Sequence, residues 1–192
     1  PDFCLRVAKL VKAKSDVRCV HYVAPTVWAW RPKRAAKMAA HIDQVLALFP
    51  FEPPLMEATG MRCDFVGHPV VAEPVATVEE AQAFRAAHGI GDAPLLMVLP
   101  GSRKSEVARL GARFAQTVAL VKARHPDMQI VVPAAAPVAD AVLHLTADWP
   151  DTKLLDPRWQ DYADAMTQKR AAFRAADVAI AASGTVSLEL AA

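Results

Sequence analysis

Two short segments of this sequence have the residue types and spacing to hold an anion. In the first, the apolar run Leu95–Leu99 ends at Pro100, turns at Gly101 and enters Ser102-Arg103, with Glu106 following. Glycine lets a backbone approach a ligand closely. A helix start presents unpaired N–H groups and a partial positive charge, which stabilise a phosphate. Arg103 can add a two-pronged, charge-assisted contact. In the second, Asp177–Ala181 reads as a strand running into Ser183-Gly184-Thr185, with Glu189 about one turn into the next helix. Its hydroxyls and amides suit an anion, and Glu189 is placed to accept hydrogen bonds from a ribose diol. The plainer alternatives are a helix cap at Ser102 and a Glu189 that only complements the helix dipole. The same architecture occurring twice favours a ligand. Lys104 and Arg109 read as solvated helix charges.

A third segment, His21–Arg34, places Trp28 and Trp30 beside Arg31, Lys33 and Arg34. Such a segment can lie on an anionic membrane surface or hold a phosphorylated amphiphile. Composition alone favours core tryptophans beside a solvated helix face. The lone His68 in Gly67-His68-Pro69 reads as structural. No Cys/His/carboxylate cluster has metal spacing, and no Ser–His–Asp arrangement is evident. Neither Gly-x-Gly-x-x-Gly nor Gly-x-x-x-x-Gly-Lys-Ser/Thr occurs at the two turns, which disfavours a dehydrogenase and a P-loop NTPase.

The elements that must position these residues alternate between strand and helix. Phe3, Val7, Leu10 and Val11 follow helical spacing. Cys19–Val23, Asp43–Leu48 and Asp64–Val66 read as strands, Pro32 to His41 and Pro53–Thr59 as helices. Between Pro69 and Pro94 the sequence holds a single helix, with the capping-box pattern Thr77-Val78-Glu79-Glu80 at its start and Gly89 at its end. A second series follows: strands at Leu95–Leu99, Gln129–Val132, Lys153–Leu155 and Asp177–Ala181. Helices are expected through Val107–Val121, Ala134–Val142 and Tyr162–Ala176. This alternation predicts an α/β fold of parallel sheets covered on both faces. The expected division is 1–72, an interdomain connection at 73–92, and 93–192.

Composition is that of a globular protein: 192 residues, 54% hydrophobic and 22% charged. A net charge of +2 gives no global field for nucleic acid, so an anion site must be local. Cys4, Cys19 and Cys63 are odd in number and widely spaced, which favours a reducing compartment. No apolar run approaches the roughly 20 residues of a membrane helix, and no signal peptide opens the chain. Both ends read as internal to a longer protein.

The string Tyr22-Val23-Ala24-Pro25-Thr26-Val27-Trp28-Ala29-Trp30-Arg31 resembles a signature of the lipid-A-disaccharide synthase family. So do Phe49-Pro50-Phe51-Glu52, Phe65-Val66-Gly67-His68-Pro69, Leu99–Arg103 with Glu106, and Ala182–Thr185 with Leu188-Glu189, in the family's order. Cys4, where the family has Asn, and Thr26, where Ser is frequent, depart from the pattern. The resemblance implies a GT-B glycosyltransferase of two Rossmann-like domains, both incomplete here. Residues 1–72 would end the acceptor domain and 93–192 would begin the UDP-sugar donor domain. The implied reaction moves 2,3-diacylglucosamine from its UDP donor to 2,3-diacylglucosamine 1-phosphate. Its products are lipid A disaccharide 1-phosphate and UDP, formed without metal or cofactor.

Carried onto this chain, Gly101, Ser102, Arg103, Glu106, Ser183, Gly184, Thr185 and Glu189 would hold UDP. Arg103 would stabilise the leaving group. Trp28, Trp30, Arg31 and Lys33 would lie on the acceptor and membrane side. The family's proposed base would fall just upstream of Pro1, so these 192 residues alone are expected to turn nothing over. The implied setting is the cytoplasmic face of the inner membrane of Gram-negative bacteria, with a homodimer among the open oligomeric states. The alternatives are another GT-B enzyme such as a UDP-sugar epimerase, which the Trp-Ala-Trp segment opposes, and a non-catalytic anion- or membrane-binding module.

Overall fold

The structure, a computed structural model, describes residues 2–29 and 33–191. It divides into two compact units, Pro1–Ala72 and Glu73–Ala192. The first carries α1 (Asp2–Lys12), β1 (Val20–Tyr22), α2 (Lys33–Ala39), β2 (Gln44–Ala47), α3 (Pro53–Glu57) and β3 (Arg62–Phe65). Its strands form a parallel sheet in the order β1-β2-β3. Val45 and Ala47 of β2, fully buried, pack with Met38 of α2 and Met56 of α3. Cys63, buried in this core, has its thiol pushed up to about 11 by desolvation, and so is a poor nucleophile. Trp30, Arg31 and the expected helix start at Pro32 lie outside the described residues.

The second unit carries α4 (Val78–Ala87), β4 (Leu95–Leu99), α5 (Lys104–Arg124), β5 (Gln129–Pro133) and α6 (Ala139–Thr146). It continues with β6 (Thr152–Leu155), α7 (Tyr162–Ala175), β7 (Val178–Ala181) and α8 (Thr185–Ala191). Its parallel sheet has the order β6-β5-β4-β7. Every residue of β4 is buried, as a strand covered on both faces requires. Alternation then sends Leu95, Met97 and Leu99 to one side, with Ala81 and Phe84 of α4 and Ala171, Ala172 and Ala175 of α7. Leu96 and Val98 go to the other, with Val107, Phe114 and Val118 of α5, Val142 of α6 and Val138 just before it.

Two expectations change in the structure. The stretch 73–92, read as a connection, contains α4, which is built into the second unit. Thr77 and Glu80 form the expected capping box, at 3.2 and 2.7 Å. Arg85 then ties α4 to the sheet. Its guanidinium donates to the carbonyls of Gly91, Ala93 and Ala175 and to Asp177, whose Oδ2 also accepts from the Leu95 N–H at 2.7 Å. The helix expected over Ala134–Val142 starts only at Ala139. Ala135 is extended, and Pro137, lacking an N–H, sits in a short 3-10 turn at Ala136–Val138. Ala134 and Ala135 are thereby left at the carboxyl end of β5.

Candidate functional site

From β4 the chain steps outward to β5 and β6, then returns to place β7 on the opposite side of β4. Strand order reverses between β4 and β7. In open parallel sheets, ligands bind outside the carboxyl ends of the strands at such a point. Leu99 is in register with Ala181, and the Ala182 N–H donates to the Leu99 carbonyl at 2.9 Å. The two glycine turns, far apart in the chain, therefore open side by side.

They face one cleft of about 720 Å³, within the roughly 300–1,000 Å³ usual for ligand pockets. Gly101, Ser102, Arg103 and Glu106 line one wall; Ser183, Gly184, Thr185 and Glu189 line another. Ala134 and Ala135 from β5 and Tyr162 and Lys169 from α7 complete it. All of the residues expected on the nucleotide side are thus brought together. Lys104 and Arg109 are exposed and absent from the lining.

At the first turn, Gly101 has φ +116°, a conformation that L side chains rarely adopt. Glu106 folds back over it. Its Oε2 accepts from the Ser102 and Arg103 N–H groups at 3.0 and 3.2 Å, and its Oε1 pairs with Arg103 Nη1 at 2.7 Å. The Ser102 N–H first, then the Arg103 guanidinium, hold the carboxyl below its ordinary range. Its carboxylate thus satisfies two amides at the start of α5. At the second turn, Ser183, Gly184 and Thr185 are exposed. The Ser187 hydroxyl closes that turn, donating to the Gly184 carbonyl at 2.6 Å.

Glu189 is ion-paired with Lys169, whose ammonium also lies 5.1 Å from the Phe173 ring. The dipole alternative for Glu189 leaves out this partner. Sequence reasoning missed Lys169, because nothing in its local pattern marks it; its partner belongs to a different helix. It also missed Tyr162 and the β5 wall.

In the first unit, Trp28 is held by an aromatic cluster that its own segment does not announce. Its ring meets Phe51 edge-on at 4.9 Å and Phe49 at 6.4 Å, and Phe49 and Phe51 stack at 5.5 Å. His68 lies 5.7 Å from Phe49, and its Nδ1 accepts from the Val70 N–H, in keeping with a structural role. Glu52, 1% exposed, accepts from the Leu48 and Phe49 N–H groups, both at 2.8 Å, and so turns the chain after β2 to present both phenylalanines. Trp28 and Phe51 nevertheless remain 41% and 49% exposed. Lys33, at the start of α2, is also exposed. Among the described residues no helix is long and apolar enough to cross a membrane.

Two parallel-sheet α/β units, the second with a cleft at its strand-order reversal, define a GT-B type of fold. The same fold occurs in the crystal structure of Anabaena Alr3699/HepE in complex with UDP and glucose. That match has a TM-score of 0.55 at 12% identity and covers 91% of this chain and 49% of that one. The chain belongs to the lipid-A-disaccharide synthetase family, whose model matches residues 1–192. It is 60% identical to the lipid-A-disaccharide synthase of Ruegeria pomeroyi and 50% identical to that of Rhodospirillum centenum, over 100% of this chain in each case. It spans about half the length of these curated relatives, 48% and 46% respectively.

Proposed function

We propose that this chain is part of a glycosyltransferase that moves 2,3-diacylglucosamine from UDP-2,3-diacylglucosamine to 2,3-diacylglucosamine 1-phosphate. The products are lipid A disaccharide 1-phosphate and UDP. Family membership supports this reaction over an epimerase or a binding module. The observation that carries the site is the pairing of β4 with β7, which gives both glycine turns one cleft.

In this reading Ser102, Arg103 and the turn Ser183-Gly184-Thr185 contact the diphosphate of UDP. As the glycosidic bond breaks, negative charge grows on the departing UDP. Arg103 and the amides that open α5 stabilise it by fixed charge and dipole, in place of a divalent ion. Glu189, oriented by Lys169, accepts hydrogen bonds from the ribose diol. Trp28, with Phe49 and Phe51, gives the first unit an exposed aromatic face for an acylated acceptor at the cytoplasmic face of the inner membrane. Lys33 is exposed at the start of α2 in the same unit, and Trp30 and Arg31 are assigned to the acceptor side by the family resemblance alone. A homodimer of the full-length gene product is compatible with this arrangement.

The test is acceptor-dependent UDP release by the full-length gene product. Turnover of the diacylated donor only when the acyl-glucosamine 1-phosphate is present supports the reading, and release that ignores the acceptor overturns it. The 192 residues alone are expected to show none. The ribose assignment has its own check. Glu189→Ala is expected to weaken UDP binding about fivefold to tenfold while leaving 2′,3′-dideoxy-UDP unchanged, since one charged hydrogen-bond acceptor is lost. Equal losses for both ligands remove Glu189 from the ribose.

A further inference from the structure

The donors that the UDP reading assigns to a phosphate are already occupied by the protein itself. Glu106 Oε2 lies on the Ser102 and Arg103 N–H groups, and Oε1 lies on the Arg103 guanidinium. A phosphate oxygen and this carboxylate cannot share two N–H donors. Each N–H makes one good hydrogen bond, and two anions on the same donors repel. The turn is also shaped around the carboxylate. A Cβ at Gly101 would stand 2.8 Å from both Cβ and Oε2 of Glu106. The Glu106 side chain is 20% exposed and that of Arg103 is 76% exposed, so the carboxylate is seated while the guanidinium is open to solvent.

We propose that Glu106 is the resident anion of the nucleotide site, displaced from the opening amides of α5 when a diphosphate binds, and that it thereby sets the site's affinity and its selectivity for phosphates. The inference rests on the UDP reading above and changes the role expected of Glu106 within it, from ligand contact to competitor. Binding becomes an exchange of one anion for another, so the measured affinity is the difference between two interactions. A ligand without phosphate cannot displace the carboxylate and gains nothing from its removal. With the site empty, Glu106 keeps the two amides and Arg103 satisfied and in place. On UDP release it retakes the seat, which favours departure of the product. The low carboxyl pKa at Glu106 is in keeping with an ionised occupant.

Glu106→Gln keeps the shape of the side chain and removes its charge. Calorimetry on the full-length gene product is expected to give UDP binding about threefold or more tighter in this variant, with uridine within about twofold of wild type. Unchanged or weaker UDP binding by Glu106→Gln overturns the exchange. Wild-type protein that binds uridine and UDP alike, or not at all, overturns the UDP site and the exchange together. If Arg103→Ala weakens UDP binding while Glu106→Gln leaves it unchanged, the site stands and only the exchange fails. A crystal structure with UDP bound supplies the second measurement. Phosphate oxygens on the Ser102 and Arg103 amides, with Glu106 rotated away, are expected. Glu106 still seated on both amides in that complex would falsify the exchange.

Discussion

Replacing Arg103 by alanine is expected to weaken UDP binding by the full-length gene product at least tenfold, roughly the contribution of one charged hydrogen-bonding partner. The guanidinium lines the cleft beside the opening amides of α5. It is held there by Glu106 alone among the hydrogen-bond partners described for it, through a single Nη1 contact at 2.7 Å. Its fork can therefore turn to a diphosphate without breaking a buried network. Lysine at this position keeps a positive charge but loses the planar fork, so Arg103→Lys should recover only part of the affinity. Calorimetric titration with UDP measures both variants. The turnover rate of Arg103→Ala should fall further than its ground-state binding, because charge on UDP is greatest as the bond breaks. An affinity equal to wild type would remove Arg103 from the site.

The second large effect concerns stability. Glu52→Ala is expected to destabilise the first unit by roughly 2–4 kcal/mol, the range for leaving one buried and one part-buried N–H donor without an acceptor. Glu52 lies 1% exposed at the start of α3, and its Oε2 alone takes the Leu48 and Phe49 N–H groups. Water has little access to replace it. Phe49 and Phe51 depend on that turn for their stacking, and Trp28 rests edge-on against both rings. Glu52→Gln retains an acceptor oxygen and should lose about half as much, because neutral hydrogen bonds are weaker than charged ones. Urea titration followed by tryptophan fluorescence reads the change. A midpoint shift for Glu52→Ala no larger than that for an exposed substitution would show that the carboxylate does not hold the turn.

Both variants probe motifs that were visible in the sequence, but for different reasons. Leu99–Arg103 could be read from the sequence as a glycine turn opening a helix because its meaning is local: such a turn and helix start carry their own dipoles and N–H groups. Phe49-Pro50-Phe51-Glu52 was legible only as part of a resemblance. Nothing in its spacing says that Glu52 bonds back to Leu48 and Phe49 beneath stacked rings.

The sequence by itself determined the alternation of strands and helices, the capping box of Thr77 and Glu80, the fully buried strand Leu95–Leu99 and the two glycine turns. Each follows from patterns a few residues long, which report local hydrogen bonding and burial. Only the tertiary structure decided that β7 lies beside β4, so that two turns become one cleft. It also decided that Arg85 fastens α4 into the second unit, that Lys169 stands on Glu189, and that Glu106 sits on the opening amides of α5. Strand order depends on which apolar faces the chain buries together. Ion pairs between elements depend in turn on that order, and no short pattern encodes either. At Glu106 the spacing was short enough to read, yet only the backbone turn at Gly101 decided that the carboxylate folds back onto its own helix rather than out toward a ligand.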